Sequence, residues 1–272
     1  MKIFAILIAK NEADIIGDVI KSAKEWADKI FAVDNDSSDE TWQIIQSLRD
    51  DVLIPVRQEK RSFNRDFRGE IFNQFRNFSS EGDWWCFALD ADEFYPENPK
   101  KFLSNIPEKY HVVAKQSLDF VITKEDLEEY DFSGSFSENR KHLCYIKNPC
   151  WSEPRFFRYR KSIKWEYGKN YQYPPNIGVV SPALIPVLHY QYRSPVQMQK
   201  RLDMRNSLSN KKQGGSFKHI KETDFHELLE NRKDCILLPA PDKVKMLQIK
   251  GIINQSFLKK LYLSIGIMLR LF

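Results

Sequence analysis

No two cysteines in this chain have zinc-site spacing. Cys86, Cys144, Cys150 and Cys235 stand singly, with no Cys-x-x-Cys among them, which excludes the common structural zinc modules. Cys86 falls inside an apolar run, where a thiol is ordinarily a small core residue, and a reducing compartment is the expectation. Long apolar runs are also missing. The closing stretch Phe257–Phe272 carries Lys259, Lys260 and Arg270 and is too short to cross the ~30 Å hydrocarbon core of a bilayer. The apolar start passes directly into Lys10-Asn11-Glu12 without a small-residue cleavage site, so it reads as a strand and not as a signal peptide. Neither sign of charge dominates: 42 Lys and Arg against 37 Asp and Glu give a net charge of +5. That balance suits an anionic ligand or an anionic membrane surface and does not call for nucleic acid. There is no internal repeat and no low-complexity segment.

What the chain does hold is a series of short apolar runs ending in acids. At 272 residues, with 42% hydrophobic and 29% charged side chains, it can bury a sizeable core as one large domain or as a domain plus an appendage. The run Trp84 to Leu89 is too short for a helix core and reads as a strand buried on both faces. It stops at Asp90, Asp92 and Glu93, which places carboxylates at the edge where open α/β sheets bind ligands. Asp90 and Asp92 are two apart, so an extended backbone turns both to one side. Two convergent carboxylates repel; Mn²⁺ or Mg²⁺, sharing its shell with a substrate's phosphates, relieves that repulsion.

Lys29–Val33 is a second such strand. It leads into Asp34-Asn35-Asp36-Ser37-Ser38-Asp39-Glu40-Thr41, where Ser37 and Glu40 have capping-box spacing ahead of a helix with Trp42, Ile45 and Leu48. The chain start repeats the pattern: strand Lys2–Ile8, then Ala9-Lys10-Asn11-Glu12, then a helix carrying Ile15, Ile16, Val19, Ile20 and Ala23. A third strand at Val52–Val56 and a helix over Asn64–Phe78 complete right-handed βαβ units around a parallel sheet.

Lys10 to Glu12, Val33 to Thr41 and Trp84 to Phe94 together resemble, in order and spacing, the family 2 glycosyltransferases of the GT-A fold. The likeness is specific over residues 1–95, thins to short motifs out to about 205, and stops there. It implies an α/β fold with a Rossmann-like nucleotide-binding half (1–95) and a mixed acceptor half (96–205), then a linker and a C-terminal helical tail (206–272). It implies an inverting, Mn²⁺- or Mg²⁺-dependent enzyme of surface polysaccharide or glycan assembly. The donor would be a UDP, dTDP or GDP sugar, and the acceptor a saccharide or a lipid-linked glycan.

The resemblance also distributes roles. Asp92 and His189 hold the metal, and Asp90 reaches the ribose, the metal or its water. Ala9, Lys10 and Glu12, with Asp34, Asn35 and Asp36, frame base and ribose, and Asp90 and Ala91 complete the nucleotide site. Relatives commonly carry two adjacent Asp after strand two; here Asn35 replaces the second, which leaves the choice of base open. Among Arg57, Lys60, Arg61, Arg65, Arg68 and Arg76, Arg68 is assigned to the diphosphate, and a solvated helix face accounts for the rest. Inversion needs a carboxylate base; Glu153 is the first candidate, with Asp119 and Glu166 open. His189 follows the strand-like Ile185–Leu188 and precedes Tyr190-Gln191-Tyr192-Arg193-Ser194, a stretch that in related transferases returns a His to the metal.

The remainder carries fewer signals. Pro99–Ile106 reads as a short helix, Tyr110–Thr123 as a long strand, and Lys124–Arg140 as a mobile loop or short helix over the site. The Trp, Tyr, Arg and Glu of 151–168 suit either a carbohydrate-contacting surface or a second aromatic core. Asn206 to about Phe217 reads as a flexible linker. The tail reads as a helix lying on a membrane or as a homodimer contact. The expected location is cytoplasmic, at the inner face of the plasma membrane under the first of those readings. Two other classes are set beside the transferase. A nucleotidyltransferase carries a Gly-rich loop after strand one, whereas Ala9-Lys10-Asn11-Glu12 has no Gly. A non-catalytic carbohydrate-binding protein has no use for the carboxylate cluster.

Overall fold

β1 (Ile3–Ala9), β2 (Lys29–Asp34) and β4 (Trp84–Asp90) are buried along almost their whole length, so they can lie only within a sheet covered on both faces. The computed structural model describes residues 1–147, 152–210, 222–238 and 255–271; Trp151, Phe272 and the 211–217 part of the expected linker fall outside. The chain clusters into two units, one of residues 1–117, 150–187 and 249–272, the other of 118–149 and 188–248.

In the first unit β3 (Leu53–Gln58), β2, β1 and β4 lie side by side and parallel. β8 (Ser152–Arg158) then runs antiparallel to β4, and residues 112–116 of β6 (Val112–Val121) run antiparallel to β8. The connections are α1 (Ile16–Lys24), α2 (Thr41–Ser47), α3 (Asp66–Phe75), and α4 (Pro99–Ser104) after the short β5 (Glu93–Phe94). Side chains alternate as extended strands require. Phe4 and Ile6 of β1, Phe31 and Val33 of β2, and Trp85 and Phe87 of β4 pack with Ile71 and Phe72 of α3. Phe157, Tyr159 and Trp165 join this core, while Phe156 packs against Trp26 and Tyr95; all four are at most 3% exposed. They are core, not a sugar-contacting surface, because β8 lies inside the sheet and Trp165 lies over α3.

One irregularity bears on the site. Ala5 pairs with Cys86 but Leu7 pairs with Leu89, so two steps on β1 match three on β4. Such a bulge shifts the alternation of the strand that carries it. Ala88 thereby shares the α3 face with Phe87, and two residues on, Asp90 meets Arg68 of α3 at 3.6 Å.

The α2 start differs from the expected capping box. Glu40 is itself the N-cap residue, and Ser37 Oγ accepts from Asn11 N at 2.9 Å. Asp39 Oδ1 takes the capping part, accepting from Thr41 N at 3.1 Å. Beyond β8, Gly178 is held at φ +118, and a Cβ there would lie 2.5 Å from His111 Cβ. Gly178→Ala is expected to cost about 2–4 kcal/mol through backbone strain and overpacking together; a urea midpoint within error of wild type would refute that.

In the second unit the end of β6 pairs through Phe120 and Val121 with β7 (Tyr145–Ile146), which pairs with β10 (Ile236–Leu237). The stretch 124–140, expected as a mobile loop or short helix, forms two short helices, α5 (Lys124–Glu129) and α6 (Phe136–Asn139). A reciprocal cap between Thr123 and Asp126 starts the first. Asn139 Nδ2 donates to Phe132 O at 3.0 Å and Gly134 O at 3.1 Å, closing the loop between them. β9 (Val180–His189), which belongs to the first unit as far as Val187, leads into α7 (Pro195–Asn210) of the second. That helix covers 206–210, so the linker cannot begin at Asn206, whose amide donates to Glu222 O at 2.9 Å. The tail, which belongs to the first unit, forms α8 (Phe257–Met268).

Candidate active site

Parallel strands bring their carboxyl ends to one edge. Ala9 pairs with Asp34 and Ile8 with Asp90, so β1 stands between the two acids. With strands about 4.8 Å apart, the Asp34 and Asp90 backbones lie about 10 Å from each other. The two loops leaving this edge are laced together. Lys10 Nζ donates to Asn35 O at 2.8 Å and to Asp36 O at 3.0 Å. Glu12 N donates to Thr41 Oγ1 at 2.8 Å, and Asn11 Oδ1 accepts from Ser38 N at 2.8 Å. Asn11 at φ 55 and Asp36 at φ 58 are left-handed, a conformation short polar side chains tolerate. Both Asn35 amide hydrogens are committed, to Glu59 O and Arg61 O at 2.8 Å each. The segment that supplies those carbonyls is fixed by Arg61, whose guanidinium bonds hold the Glu59 carboxyl down at about 2. Asp34 is fully buried. Its Oδ2 accepts from Ser37 N at 3.1 Å and Gln58 Nε2 at 3.3 Å, while Oδ1 has no hydrogen-bond partner among the described residues. A buried acceptor left so is costly unless a ligand supplies the donor.

The other end of the edge is a network of six charges. Arg155, fully buried, reaches Asp90 at 3.0 Å, Glu93 at 3.3 Å and Glu153 at 2.7 Å, and donates to the carbonyl of Ala88 at the bulge. Lys115 pairs with Glu93, with Glu153 at 3.3 Å and with Asp90 at 4.0 Å. Arg68 adds a third cation beside Asp90. Burial alone would raise the Asp90 pKa; the charges of Arg155, Lys115 and Arg68 outweigh it and hold the carboxyl well below its ordinary range. Burial also opposes the charge on Arg155, and the carboxylates of Glu93 and Asp90 overcome that too. Beneath the network, burial pushes the Cys86 thiol up to about 12, which fits a core residue. Asp92, 4% exposed, follows two residues after Asp90.

A ring of contacts then closes around this end. Glu153 Oε2 accepts from Gln172 Nε2 at 2.9 Å. Asn170 accepts from Arg65 N at 2.9 Å and donates to Asp66 Oδ1 at 2.8 Å, and the Arg68 guanidinium lies 5.9 Å from the Phe63 ring. The two loops that meet here expose Phe63, Tyr167 and Tyr171 at 51%, 69% and 40%.

Residues 4–176, well over half of the chain, match the sequence profile described as Glycosyl transferase family 2. The chain belongs to that family. Its α/β architecture with a mostly parallel sheet is the GT-A fold that the three motifs imply. No functionally curated protein matches the sequence. Among solved structures the family 2 chain is similar to TarS 1-349 of S. aureus in complex with UDP, at 21% identity and TM-score 0.32, covering 44% of this chain and 36% of that one. It is similar to the mannosyltransferase PcManGT of Pyrobaculum calidifontis in complex with GDP-Man and Mn²⁺, at 13% identity and TM-score 0.38, covering 79% and 65%. It is also similar to glucosyl-3-phosphoglycerate synthase of Mycobacterium tuberculosis in complex with Mn²⁺, UDP and phosphoglyceric acid, at 17% identity and TM-score 0.29, covering 60% and 57%. The chain thus spans between about a third and two thirds of those proteins' lengths, and at these TM-scores none of them bears on its ligands.

Within the family 2 chain, Ala9, Lys10, Glu12, Asp34, Asn35, Asp36, Asp90, Ala91, Asp92 and Glu153 all belong to the first unit and its carboxyl edge or the loops leaving it, and Arg68 to the first turn of α3 in the same unit. Glu166 is exposed in the loop after Trp165, and no hydrogen bond or ion pair among the described residues ties it to the network. His189 and Asp119 belong to the second unit, where Nδ1 and Oδ1 lie 2.6 Å apart. Sequence reasoning missed Lys115, and placed Glu93 at the edge without giving it a role. A lysine inside the strand-like run Val112–Val121 was the available signal, since a buried lysine needs a partner. Most of the arginines read as a solvated face are engaged: Arg57 and Arg61 pair with Glu59 and Glu70, and Arg76 donates to Ile163 O and Lys161 O.

Proposed function

We propose that this protein is a divalent-metal-dependent, inverting glycosyltransferase that moves a sugar from a nucleoside-diphosphate donor to a saccharide or lipid-linked acceptor in glycan assembly. The observation that supports this most is Asp34: a fully buried carboxylate with an unanswered oxygen, about two strand spacings from the Asp90 network. An acceptor so placed fits the ring N–H of uracil, thymine or guanine and is repelled by the acceptor edge of cytosine. Asn35 spends its amide on the loop and sets the shape of the base site without reading the base. Arg68, next to Asp90, serves the diphosphate.

Asp92 supplies a hard carboxylate oxygen at the same edge, a donor chemistry that fits Mn²⁺ or Mg²⁺. Among the described residues no group of three or more His, Cys, Asp or Glu side chains is arranged to hold a metal ion, so phosphate oxygens and water would complete the shell. When bound, such an ion neutralises the leaving diphosphate as a Lewis acid. Asp90, already bracketed by three cations, orients Arg68 and Arg155 more than it binds metal. In the second unit Asp119 fixes Nδ1 of His189, the arrangement that presents Nε2 to a ligand or a proton.

Glu153 is assigned as the base. It sits at the rim of the network, its side chain 24% exposed and bonded to Gln172, and the exposed rings of Phe63 and Tyr171 suit the C–H faces of an acceptor sugar. Glu153→Gln is expected to lower kcat by about 10²–10⁴ with donor binding kept; unchanged kcat would return the role to Asp119 or Glu166. The reading as a whole is tested by incubating UDP, dTDP and GDP sugars with Mn²⁺ and saccharide acceptors. Release of nucleoside diphosphate with an inverted anomeric product supports it; no release with any donor opposes it.

A further inference from the structure

The closing helix is not absorbed by the transfer chemistry. α8 has twelve residues, about 18 Å of helix, and no described helix is long and apolar enough to cross a membrane. It packs through Leu263 and Gly266, which are buried. At about 100° per residue, Phe257, Leu258, Leu261, Ile265, Met268 and Leu269 fall on one continuous arc, closed by Tyr262 at one side. They are 77%, 74%, 45%, 43%, 72% and 57% exposed, and Tyr262 is 58% exposed. An apolar face this continuous marks a surface that something covers.

The charges say what covers it. Lys260 lies beyond one margin of the arc and Lys259 beyond the other, with Gly266 between it and Tyr262; Arg270 follows the helix, and residues 255–271 contain no Asp or Glu. Lysines flanking an apolar face can lie along its edges and place their ammonium groups among headgroups. A two-fold pairing of this helix with a second copy would instead bring the same basic residues together with no acid in the segment to answer them.

We infer that α8 is an interfacial helix that docks this protein on the surface of an anionic phospholipid bilayer, its apolar arc in the acyl boundary and Lys259 and Lys260 among the headgroups. This goes beyond the transfer reading and stands or falls without it. The test is flotation of the full chain with vesicles of equal phosphatidylglycerol and phosphatidylcholine against pure phosphatidylcholine, with the mass measured by sedimentation. The full chain is expected to float with the anionic vesicles and to be released by salt. Ile265→Glu and Met268→Glu, at exposed positions, should abolish flotation with an unchanged melting temperature. Lys259→Glu with Lys260→Glu should weaken partitioning by at least about thirtyfold, from roughly one kilocalorie per mole for each lysine. A full chain that ignores anionic vesicles overturns the inference. So does a dimer, indifferent to vesicles, that Ile265→Glu converts to a monomer, since the arc is then a subunit interface.

Discussion

Arg155→Met is expected to destabilise the protein by about 3–5 kcal/mol, the cost of breaking a buried ion pair from one side. Methionine fills much of the space but answers none of the charge. Glu93, whose side chain is fully buried, loses the guanidinium and keeps the Lys115 ammonium, and the carbonyl of Ala88 loses its donor. Urea midpoints give the direct check. Adding Glu93→Gln should restore part of the loss, because one charge then leaves each side; strict additivity of the two changes would mean they do not share a network. The acid limb carries a second signature. Asp90 has a depressed folded-state pKa, so its contribution is fully present above its unfolded value near 3.8 and is lost as pH falls toward the folded one. Arg155 is the foremost of the charges that depress it, so wild-type stability should fall more steeply below pH about 4 than that of the variant.

Asp92→Asn is expected to lower kcat/KM with Mn²⁺ by at least about 10²-fold, since a Lewis acid supplies several kcal/mol of charge stabilisation at the leaving group. Asparagine keeps the shape and one acceptor oxygen but loses the charge that holds a hard cation. The fold should change little, within about 1 kcal/mol, because the side chain's volume and strand-end position are kept. A Mn²⁺ titration of turnover, read beside a melting curve, separates the two effects. Full turnover at the wild-type Mn²⁺ concentration would remove Asp92 from the metal.

The two expectations differ in how far the sequence foretold them. Asp92 was visible because a buried parallel strand that ends in acids has nowhere else to deliver them. Asp34 was visible for the same reason, and so was the alternation that places both at one edge. Arg155 was one of the unassigned arginines of 151–168, since nothing local tells that β8 inserts antiparallel between β4 and β6. The bulge opposite Ala5 and Leu7 is likewise a pairing event; read with strict alternation, Asp90 would face away from α3. Ser37 and Glu40 had capping-box spacing, but a tertiary partner, Asn11, took the hydroxyl. The aromatics near Trp165 carry no sign of which face they take, because core and sugar platform use the same residue types. Both units are assembled from separated segments, which sequence order alone cannot reveal.

In the proposed transferase this carboxyl edge binds a nucleoside diphosphate through Asp34 at one end and Asp92 at the other. Calorimetric titration of UDP, dTDP and GDP with and without Mn²⁺, into wild type and Asp34→Ala, tests it most directly. At least one nucleotide is expected to bind, with Mn²⁺ tightening it by tenfold or more, and Asp34→Ala is expected to remove most of the affinity while leaving the melting temperature of the free protein equal or higher. Binding of none of the three, or equal affinity in the two proteins, would contradict it.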